Sequence, residues 1–218
     1  MMKKKVGLLS MVLLFMLLMI TACGWEEKEL SLGVTESGSY TNDYFGVSLN
    51  FPTEWIYQNA DQMNKLMDES MEYVDYALRD NENKEIVKNM SRAHTLSLLV
   101  VSKFPLDAGD AGPSIVALAE KLNVNQGVND GKDYLEAFIR TNEKNEFPYK
   151  FEDITTVKIG GKNMDMLKGS VDYGNAIVTT QEIYSRKIDD YAFCFIVTYT
   201  NDESKAETDK ILESVSFQ

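Results

Sequence analysis

The sequence predicts an α+β fold in which an antiparallel β-sheet of about six strands has helices packed on both of its faces. Three observations support this prediction. Apolar and polar residues alternate along several segments, most clearly in the last third of the chain. Turn-forming residue pairs separate these last segments. Segments with helical periodicity occupy parts of the middle and a stretch near the C-terminus.

The first predicted strand spans residues 44–51, where apolar side chains alternate with polar ones. Pro52 ends it, and residues 55–57 continue in an extended conformation. Asn59 or Asp61 is expected to cap the helix that follows. The apolar positions of that helix recur at steps of three and four residues: Met63, Leu66, Met67, Met71, Val74 and Leu78. Such a methionine-rich stripe usually packs in a core, and an adaptable ligand groove is the alternative.

The middle of the chain predicts one strand and two helices. Residues 94–104 include a continuous apolar run, which is typical of a strand covered on both faces. Pro113 or Ser114 is then expected to open a short helix. Its apolar side would comprise Ile115, Leu118, Ala119 and Leu122. Asn129 or Asp130 can cap the next helix. The apolar positions of this second helix are Tyr134, Leu135, Phe138 and Ile139.

The last third of the chain has the two-residue period of strands. Four strands are predicted to form an antiparallel meander at residues 154–159, 162–173, 176–187 and 191–200. The turns between them are Gly160-Gly161, Gly174-Asn175 and Asp189-Asp190. A final helix capped by Asp202 or Ser204 closes the fold. The residues expected to pack inward from this segment are Ala206, Ile211, Leu212, Val215 and Phe217.

Two parts of this pattern resemble PsbP-like domains. Residues 44–55, Tyr-Phe-Gly-Val-Ser-Leu-Asn-Phe-Pro-Thr-Glu-Trp, are similar to the opening strand of those domains, which runs into Pro and Trp. The strand pair 181–184 and 191–199, with the acidic helix ending near Phe217, is similar to their end. The resemblance spans about residues 40–218 and implies an antiparallel sheet with helices against both faces. Members of that superfamily serve as extrinsic photosystem subunits, as a nuclear transport factor and as bacterial lipoproteins. A shared fold does not transfer function, so no site residue is implied.

The N-terminus predicts export and lipidation. Three lysines precede an uncharged, mostly apolar stretch at residues 6–20, which as a helix is about 22 Å long. That length is short of the roughly 30 Å hydrocarbon core of a bilayer. Residues 20–23, Ile-Thr-Ala-Cys, resemble the processing site of bacterial lipoproteins. We therefore expect residues 1–22 to be a signal peptide and Cys23 to be the lipidated residue.

The lipid would hold the chain at the outer, extracytoplasmic face of the cell membrane. A diacylglyceryl group supplies two acyl chains such as palmitate, and two chains make a stable anchor. Residues 23–40 are expected to be the lipidated end and a flexible tether, and residues 41–218 a single folded domain. The alternative is an uncleaved membrane helix that runs to Trp25, which also places the domain outside the cytoplasm.

The acidic composition limits the partners. The chain has a formal net charge of −12, and the predicted signal peptide contains none of its acidic residues. An acidic surface repels nucleic acid phosphates and anionic lipid headgroups. Nucleic acid is therefore excluded as a partner, and membrane attachment is assigned to the lipid alone. An envelope protein is the macromolecular partner that this location allows.

Few residues suit catalysis. With Cys23 lipidated, Cys194 is the remaining thiol, and its apolar strand predicts a buried, inert side chain. A Cys/His pair with His94, the sole histidine, is the minor alternative. A single histidine excludes His-rich zinc sites, and no phosphate-binding glycine loop or nucleophile elbow is present. No cofactor, metal or catalytic residue is assigned, and the chain is not expected to be an enzyme.

Acidic and aromatic residues leave two alternatives open. Asp107, Asp110 and the oxygen-rich stretch 123–133 lack calcium-loop spacing, although a weak cation site is conceivable. Aromatic residues on one face of strand 191–199 favour core packing over a ligand pocket. The expected function is a non-catalytic binding or assembly module tethered to the membrane. A small-molecule or metal-binding lipoprotein is the second hypothesis, and a hydrolase with two carboxylates facing each other across a cleft is the third.

Overall fold

Two antiparallel β-sheets share a hydrophobic core in a computed structural model of the chain. The structure describes residues 29–63, 65, 95–105, 112–123, 127–144, 149–172 and 178–218. The strands of the smaller sheet are β1 (Val34–Glu36), β2 (Ser39–Asn42), β3 (Val47–Asn50) and β12 (Ser216–Phe217). They pair in the order β1-β2-β3-β12. The smaller sheet therefore joins the first described strands to the last one.

The larger sheet has eight strands. They are β4 (Ile56–Asn59), β5 (Thr95–Ser102), β6 (Ser114–Lys121), β7 (Tyr149–Phe151), β8 (Thr155–Ile159), β9 (Lys162–Asp172), β10 (Val178–Ile188) and β11 (Tyr191–Tyr199). The order is β4-β5-β6-β11-β10-β9-β7, and β8 also pairs with β9. The prediction of about six strands is therefore too low. Short strands such as β7, with three residues, are too brief to show a clear alternation in the sequence.

The predicted C-terminal meander is confirmed, because β8, β9, β10 and β11 pair antiparallel in sequence order. Gly160 and Gly161 form the first turn, with φ angles of 56° and 79°. Two positive φ angles are the signature of the tight turn that matches strand twist, which glycine adopts without steric cost. Asp189 in the last turn also has a positive φ of 50°. The predicted turn at residues 174–175 lies outside the described residues.

The short helix predicted after residue 113 is wrong, since this segment is strand β6. The spacing of Ile115, Leu118 and Ala119 matches a helix, but Ile115, Ala117 and Ala119 also match the two-residue period of a strand. The structure buries this second set, and Leu118 is only half buried. Pairing with β5 on one side and β11 on the other decides the conformation. Tertiary pairing here overrides the helical preference of alanine.

Few helices occur among the described residues, and the prediction of helices packed on both faces of the sheet is wrong. The described residues contain helices α1 (Gly131–Lys144) and α2 (Asp202–Glu213). The smaller sheet packs against the face of β11 that carries the aromatic side chains. Ile211 and Leu212 of α2 belong to the same hydrophobic core. Helix α1 packs on β9 and β10, where Leu135 contacts Leu167 and Ile183 in a second core. The second sheet thus replaces one predicted helical layer.

Helix α1 approaches the sheet closely at its first residue. A Cβ atom on Gly131 would lie 2.3 Å from the carbonyl oxygen of Ser185 in β10. No side chain fits at that distance, so glycine allows this contact. Asp130 caps the helix, as predicted, because its Oδ1 accepts a hydrogen bond of 2.9 Å from the backbone N–H of Asp133. The start of α1 is therefore fixed on the sheet by both backbone contact and capping.

Helix α2 begins one residue earlier than the predicted caps indicate. Its N-cap is Asn201, whose side chain accepts from the backbone N–H of Ser204, and the Ser204 hydroxyl completes a capping box. Ala206 is exposed, which corrects its predicted inward position. The buried residues of α2 are Ser204, Thr208, Ile211 and Leu212. Ala206 lies on the other side of the helix from this stripe.

The folded unit starts before residue 41. The chain divides into the units Met1–Leu30 and Ser31–Gln218, and β1 and β2 lie in the second unit. Residues 34–40 of the predicted tether therefore include sheet structure. A helix begins at Ala60, and its cap is Asn59, because Asn59 Oδ1 accepts from the N–H of Gln62 at 3.0 Å. No helix among the described residues is both long enough and apolar enough to cross a membrane.

Candidate functional site

Several residues singled out from the sequence lie outside the described part of the chain. These are Cys23, His94, Asp107, Asp110 and the methionine stripe beyond residue 65. Lipidation at Cys23, a Cys/His pair and a methionine-lined groove therefore stay predictions. Among the described residues, an interior polar cluster and two surface grooves are considered as sites.

Cys194 is buried and forms no disulfide, as its strand pattern predicts. Its thiol is 3.5 Å from the hydroxyl oxygen of Ser185 on the neighbouring strand. Burial raises the pKa of the Cys194 thiol to about 12. The thiolate is the reactive form of cysteine, so burial and the raised pKa agree with the predicted core position of Cys194.

The aromatic residues of β11 belong to the core. Tyr191, Phe193, Phe195, Val197 and Tyr199 are all buried in the same cluster. The ring of Phe193 lies 5.3 Å from that of Phe45 and 5.0 Å from that of Phe195, measured between centroids. Such contacts fill the space between the two sheets. The predicted core packing is confirmed, and neither surface groove described below is lined by these side chains.

In the described part of the oxygen-rich stretch, Asn129 and Asp133 are hydrogen-bonded to each other. Asp133 Oδ2 accepts from both the backbone and the side-chain amide of Asn129, at 2.9 Å each. The backbone hydrogen bond from Asn129 is the main cause of the lowered pKa of Asp133. No group of three or more metal-ligand side chains occurs in the part of the chain that the structure describes.

One interior polar cluster surrounds the Glu182 carboxylate in β10. Glu182 is 5% exposed. The hydroxyl of Tyr184 donates to its Oε2, and the hydroxyl of Tyr199 donates to its Oε1 at 2.8 Å. Burial and these hydrogen bonds raise the pKa of both tyrosines well above the ordinary value. Both phenols therefore stay neutral and remain donors to the carboxylate.

Lys205 connects this cluster to helix α2. Its Nζ lies 3.8 Å from Glu182 Oε1 and 2.7 Å from Asp209 Oδ1. It also lies 5.5 Å from the centroid of the Tyr199 ring, within the range of a cation–π interaction. The cluster is closed on itself, since the carboxylate that could act as an acid or base is held by three side chains. We interpret it as a structural connection between α2 and the larger sheet.

The first surface groove lies between helix α2 and the segment that joins β3 to β4, and we call it the α2 groove. Its volume is about 350 Å³. Its polar lining includes Asn50, Glu54, Glu207, Lys210 and Ser214, and its apolar lining includes Phe51, Pro52, Trp55 and Ile211. Both segments that resemble PsbP-like domains contribute to it. The groove therefore has an apolar floor and a charged rim.

The surroundings of the α2 groove extend its apolar surface. Lys103 Nζ lies 2.7 Å from Oε1 of Glu207 and 5.9 Å from the centroid of the Phe104 ring. The Phe104 side chain is 42% exposed. Ile56, which directly follows Trp55 of the groove, is 40% exposed. Exposed apolar residues beside a groove with a charged rim are typical of an interaction surface.

The second surface groove lies between helix α1 and the end of β6, and we call it the Tyr134 groove. It has a volume of about 290 Å³. Its lining includes Glu120, Leu122, Val128, Tyr134, Ala137 and Phe138. The hydroxyl of Tyr134 donates to Glu120 Oε2 at 2.9 Å. Burial is the largest cause that raises the pKa of Tyr134 well above its ordinary value, so the phenol is neutral.

The sequence predicts neither groove. The helix predicted after residue 113 would include Glu120, whereas this residue lies on strand β6. The only sequence signal for the α2 groove is the proximity of Pro52 and Trp55 to a strand end. Nothing in the sequence brings this segment to α2, which lies about 150 residues later.

No protein-family model matches the chain, and no curated protein matches it. The solution structure of cyanobacterial PsbP (CyanoP) from Synechocystis sp. PCC 6803 is similar with a TM-score of 0.46 and 10% identity. That match covers 88% of this chain and 99% of the cyanobacterial one. A crystal structure from Bacteroides thetaiotaomicron VPI-5482 is similar with a TM-score of 0.43 and 13% identity, and it matches 84% of this chain. The chain spans about half of that protein, 49% of its length.

Likenesses at this level carry no argument about family, partner or function. One of the two similar structures is a PsbP protein, the class that the strand and turn motifs resemble. In the part of the chain that the structure describes, the sheet order and the helices establish a coarser description, a mostly antiparallel β fold with few helices.

Proposed function

We propose that this chain is a lipoprotein anchored through Cys23, whose PsbP-like domain acts outside the cytoplasm as a non-catalytic binding module for an envelope protein. The α2 groove is the observation that best supports binding. Its lining combines apolar residues, including the buried Trp55, with charged ones, and Ile56, the residue after Trp55, is exposed. Interfaces commonly have this arrangement of an apolar centre and a polar rim.

The α2 groove favours binding over hydrolysis. Two carboxylates, Glu54 and Glu207, line it, which is the feature that a hydrolase would need. However, Lys103 Nζ donates to both oxygens of Glu207, at 2.7 and 2.9 Å. A carboxylate engaged at both oxygens is poorly placed to exchange a proton with a substrate. The pair is better suited to orienting a charged partner at the rim.

A small-molecule-binding lipoprotein is the second candidate function. The observation that favours it is the Tyr134 groove, a concave site that combines a carboxylate with aromatic and aliphatic walls. Its volume is near the lower limit of the roughly 300–1,000 Å³ usual for ligand pockets. Any ligand would accordingly be small.

The anchor predicts that Cys23→Ala releases the protein from the membrane or stalls its processing. Without the thiol no thioether to a diacylglyceryl group can form, so the two acyl chains are lost. Immunoblots of membrane and culture-medium fractions measure the distribution, and mass spectrometry measures the mass of the N-terminal peptide. Cys194→Ala is the matched control and leaves the distribution unchanged. A wild-type protein with an unmodified Cys23 in the cytosol would contradict the anchor.

The binding role predicts a contact at the α2 groove in intact cells. A photo-crosslinking amino acid at position 54 is expected to give a discrete adduct with an envelope protein. The same probe at position 158, an exposed site on β8, is the control and gives none. Lys210→Glu reverses a rim charge and should lower the adduct yield about fivefold, because rim charges guide association. Equal adducts from both probe positions, or no effect of Lys210→Glu, would argue against this function.

A further inference from the structure

We propose that the Tyr134 groove binds a small organic ammonium ion, with its nitrogen at Glu120 and its apolar part between the groove walls. This site is separate from the α2 groove. The inference therefore stands or falls independently of binding to an envelope protein.

The first observation that supports an ammonium ligand is the carboxylate of Glu120. Its Oε2 accepts a hydrogen bond of 2.9 Å from the Tyr134 hydroxyl. This bond orients the carboxylate but does not neutralise it, because a phenol carries no positive charge. Within the described ranges, Glu120 forms no ion pair with a lysine or arginine. An ammonium ligand would supply the missing counter-charge through a charge-assisted hydrogen bond.

The second observation that supports an organic ammonium ligand is the aromatic and aliphatic lining of the groove. The aromatic side chains of Tyr134 and Phe138 line it together with the aliphatic Leu122, Val128 and Ala137. Aromatic faces attract cations, and the attraction is stronger when the cation is partly desolvated. A carboxylate beside aromatic rings therefore favours an organic cation over a hydrated metal ion. The aliphatic residues favour a ligand with an apolar body.

The surrounding charges agree with this assignment. Lys187 does not line the groove, but its Nζ donates to the carbonyl oxygen of the lining residue Val128 at 3.0 Å and keeps its positive charge there. Its ammonium group is thus bound to the main chain and not to Glu120. The net charge of −12 for the whole chain also favours the approach of a cation.

The helix that forms one wall of the groove is held firmly on the larger sheet. Leu135, the neighbour of Tyr134 on α1, is fully buried, and Gly131 lies directly against the backbone of β10. The Asp130 cap fixes the start of the same helix. A preformed site loses little conformational entropy on binding. The volume of about 290 Å³ is near the lower limit of ligand pockets and suits a small ligand.

The test uses the full-length protein in non-ionic detergent and three probes of nearly equal size. They are 2-phenylethylamine, which is cationic, 2-phenylethanol, which is neutral, and phenylacetate, which is anionic. Calorimetric or NMR titration should show that the amine binds about tenfold more tightly than the alcohol, the usual range for one charge-assisted hydrogen bond. Phenylacetate should bind most weakly. Equal affinities for the amine and the alcohol would overturn the proposal.

Three variants sharpen the test. Glu120→Gln keeps an oxygen that can accept from Tyr134 but removes the charge, so it should weaken amine binding about tenfold and leave alcohol binding unchanged. Glu136→Gln on the same helix, where the side chain is 45% exposed, is the matched control and should change neither. Ala137→Leu should block all three probes without changing the circular dichroism spectrum. Unchanged amine binding in Glu120→Gln, or in a folded Ala137→Leu protein, would refute the site.

Discussion

Replacing Phe193 by alanine is expected to lower the free energy of unfolding by about 3–5 kcal/mol. Phe193 is fully buried, and its ring packs against Phe45 near β3 and Phe217 in β12, with centroid distances of 5.3 and 6.0 Å. The side chain therefore connects the larger sheet to two segments of the smaller one. Truncation would leave a cavity that both sheets line. Urea unfolding of the full-length protein, followed by circular dichroism, measures the change.

Phe104→Ala is the matched control for this prediction. The Phe104 side chain is 42% exposed, so its removal should change stability by no more than about 0.5 kcal/mol. Similar losses in the free energy of unfolding for the two variants would mean that the two sheets do not share one hydrophobic core. A loss confined to Phe193→Ala supports the shared core.

Glu182→Ala is expected to cost about 2–3 kcal/mol, the second largest effect. The substitution removes the acceptor for the hydroxyls of Tyr184 and Tyr199 and leaves two partly or fully buried donors unpaired. It also removes one of the two carboxylates near Lys205. Glu182→Gln should cost about half as much, because the amide oxygen still accepts one hydrogen bond. The same urea titration gives both values.

Glu36→Ala provides the control for Glu182, since Glu36 is exposed on β1. Its effect should remain within about 0.5 kcal/mol. If Glu182→Ala were as mild as Glu36→Ala, the tyrosine hydroxyls would have found other partners, and the cluster would not hold α2 to the sheet.

The sequence was sufficient to predict those elements that depend only on a few neighbouring residues. The hairpin at Gly160-Gly161, the strand of Cys194 and the helix capped by Asp130 all follow from neighbouring residues. Each of these signals is a turn, a period or a cap. Such features depend on backbone geometry and local hydrogen bonding, which sequence reports directly.

The predictions that were wrong concern features that depend on contacts between residues distant in sequence. Residues 114–121 match both helix and strand periods, and only β5 and β11 on either side select the strand. The layer over the β11 aromatics was expected to be helical, because the short strands β1 and β12 have little periodicity of their own. The pairing of Glu120 with Tyr134 likewise arises from tertiary packing. Neither groove could therefore be located before the fold was known.

The pairing of β12 with β3 affects when the protein can finish folding. Ser216 lies opposite Ser48, and the N–H of Gln218 donates to the carbonyl oxygen of Gly46 at 2.8 Å. A chain that is synthesised with its N-terminus first cannot complete this sheet until residues 216–218 are available. Contacts of such long sequence separation slow folding. The smaller sheet consequently closes only after every strand of the larger sheet has been synthesised.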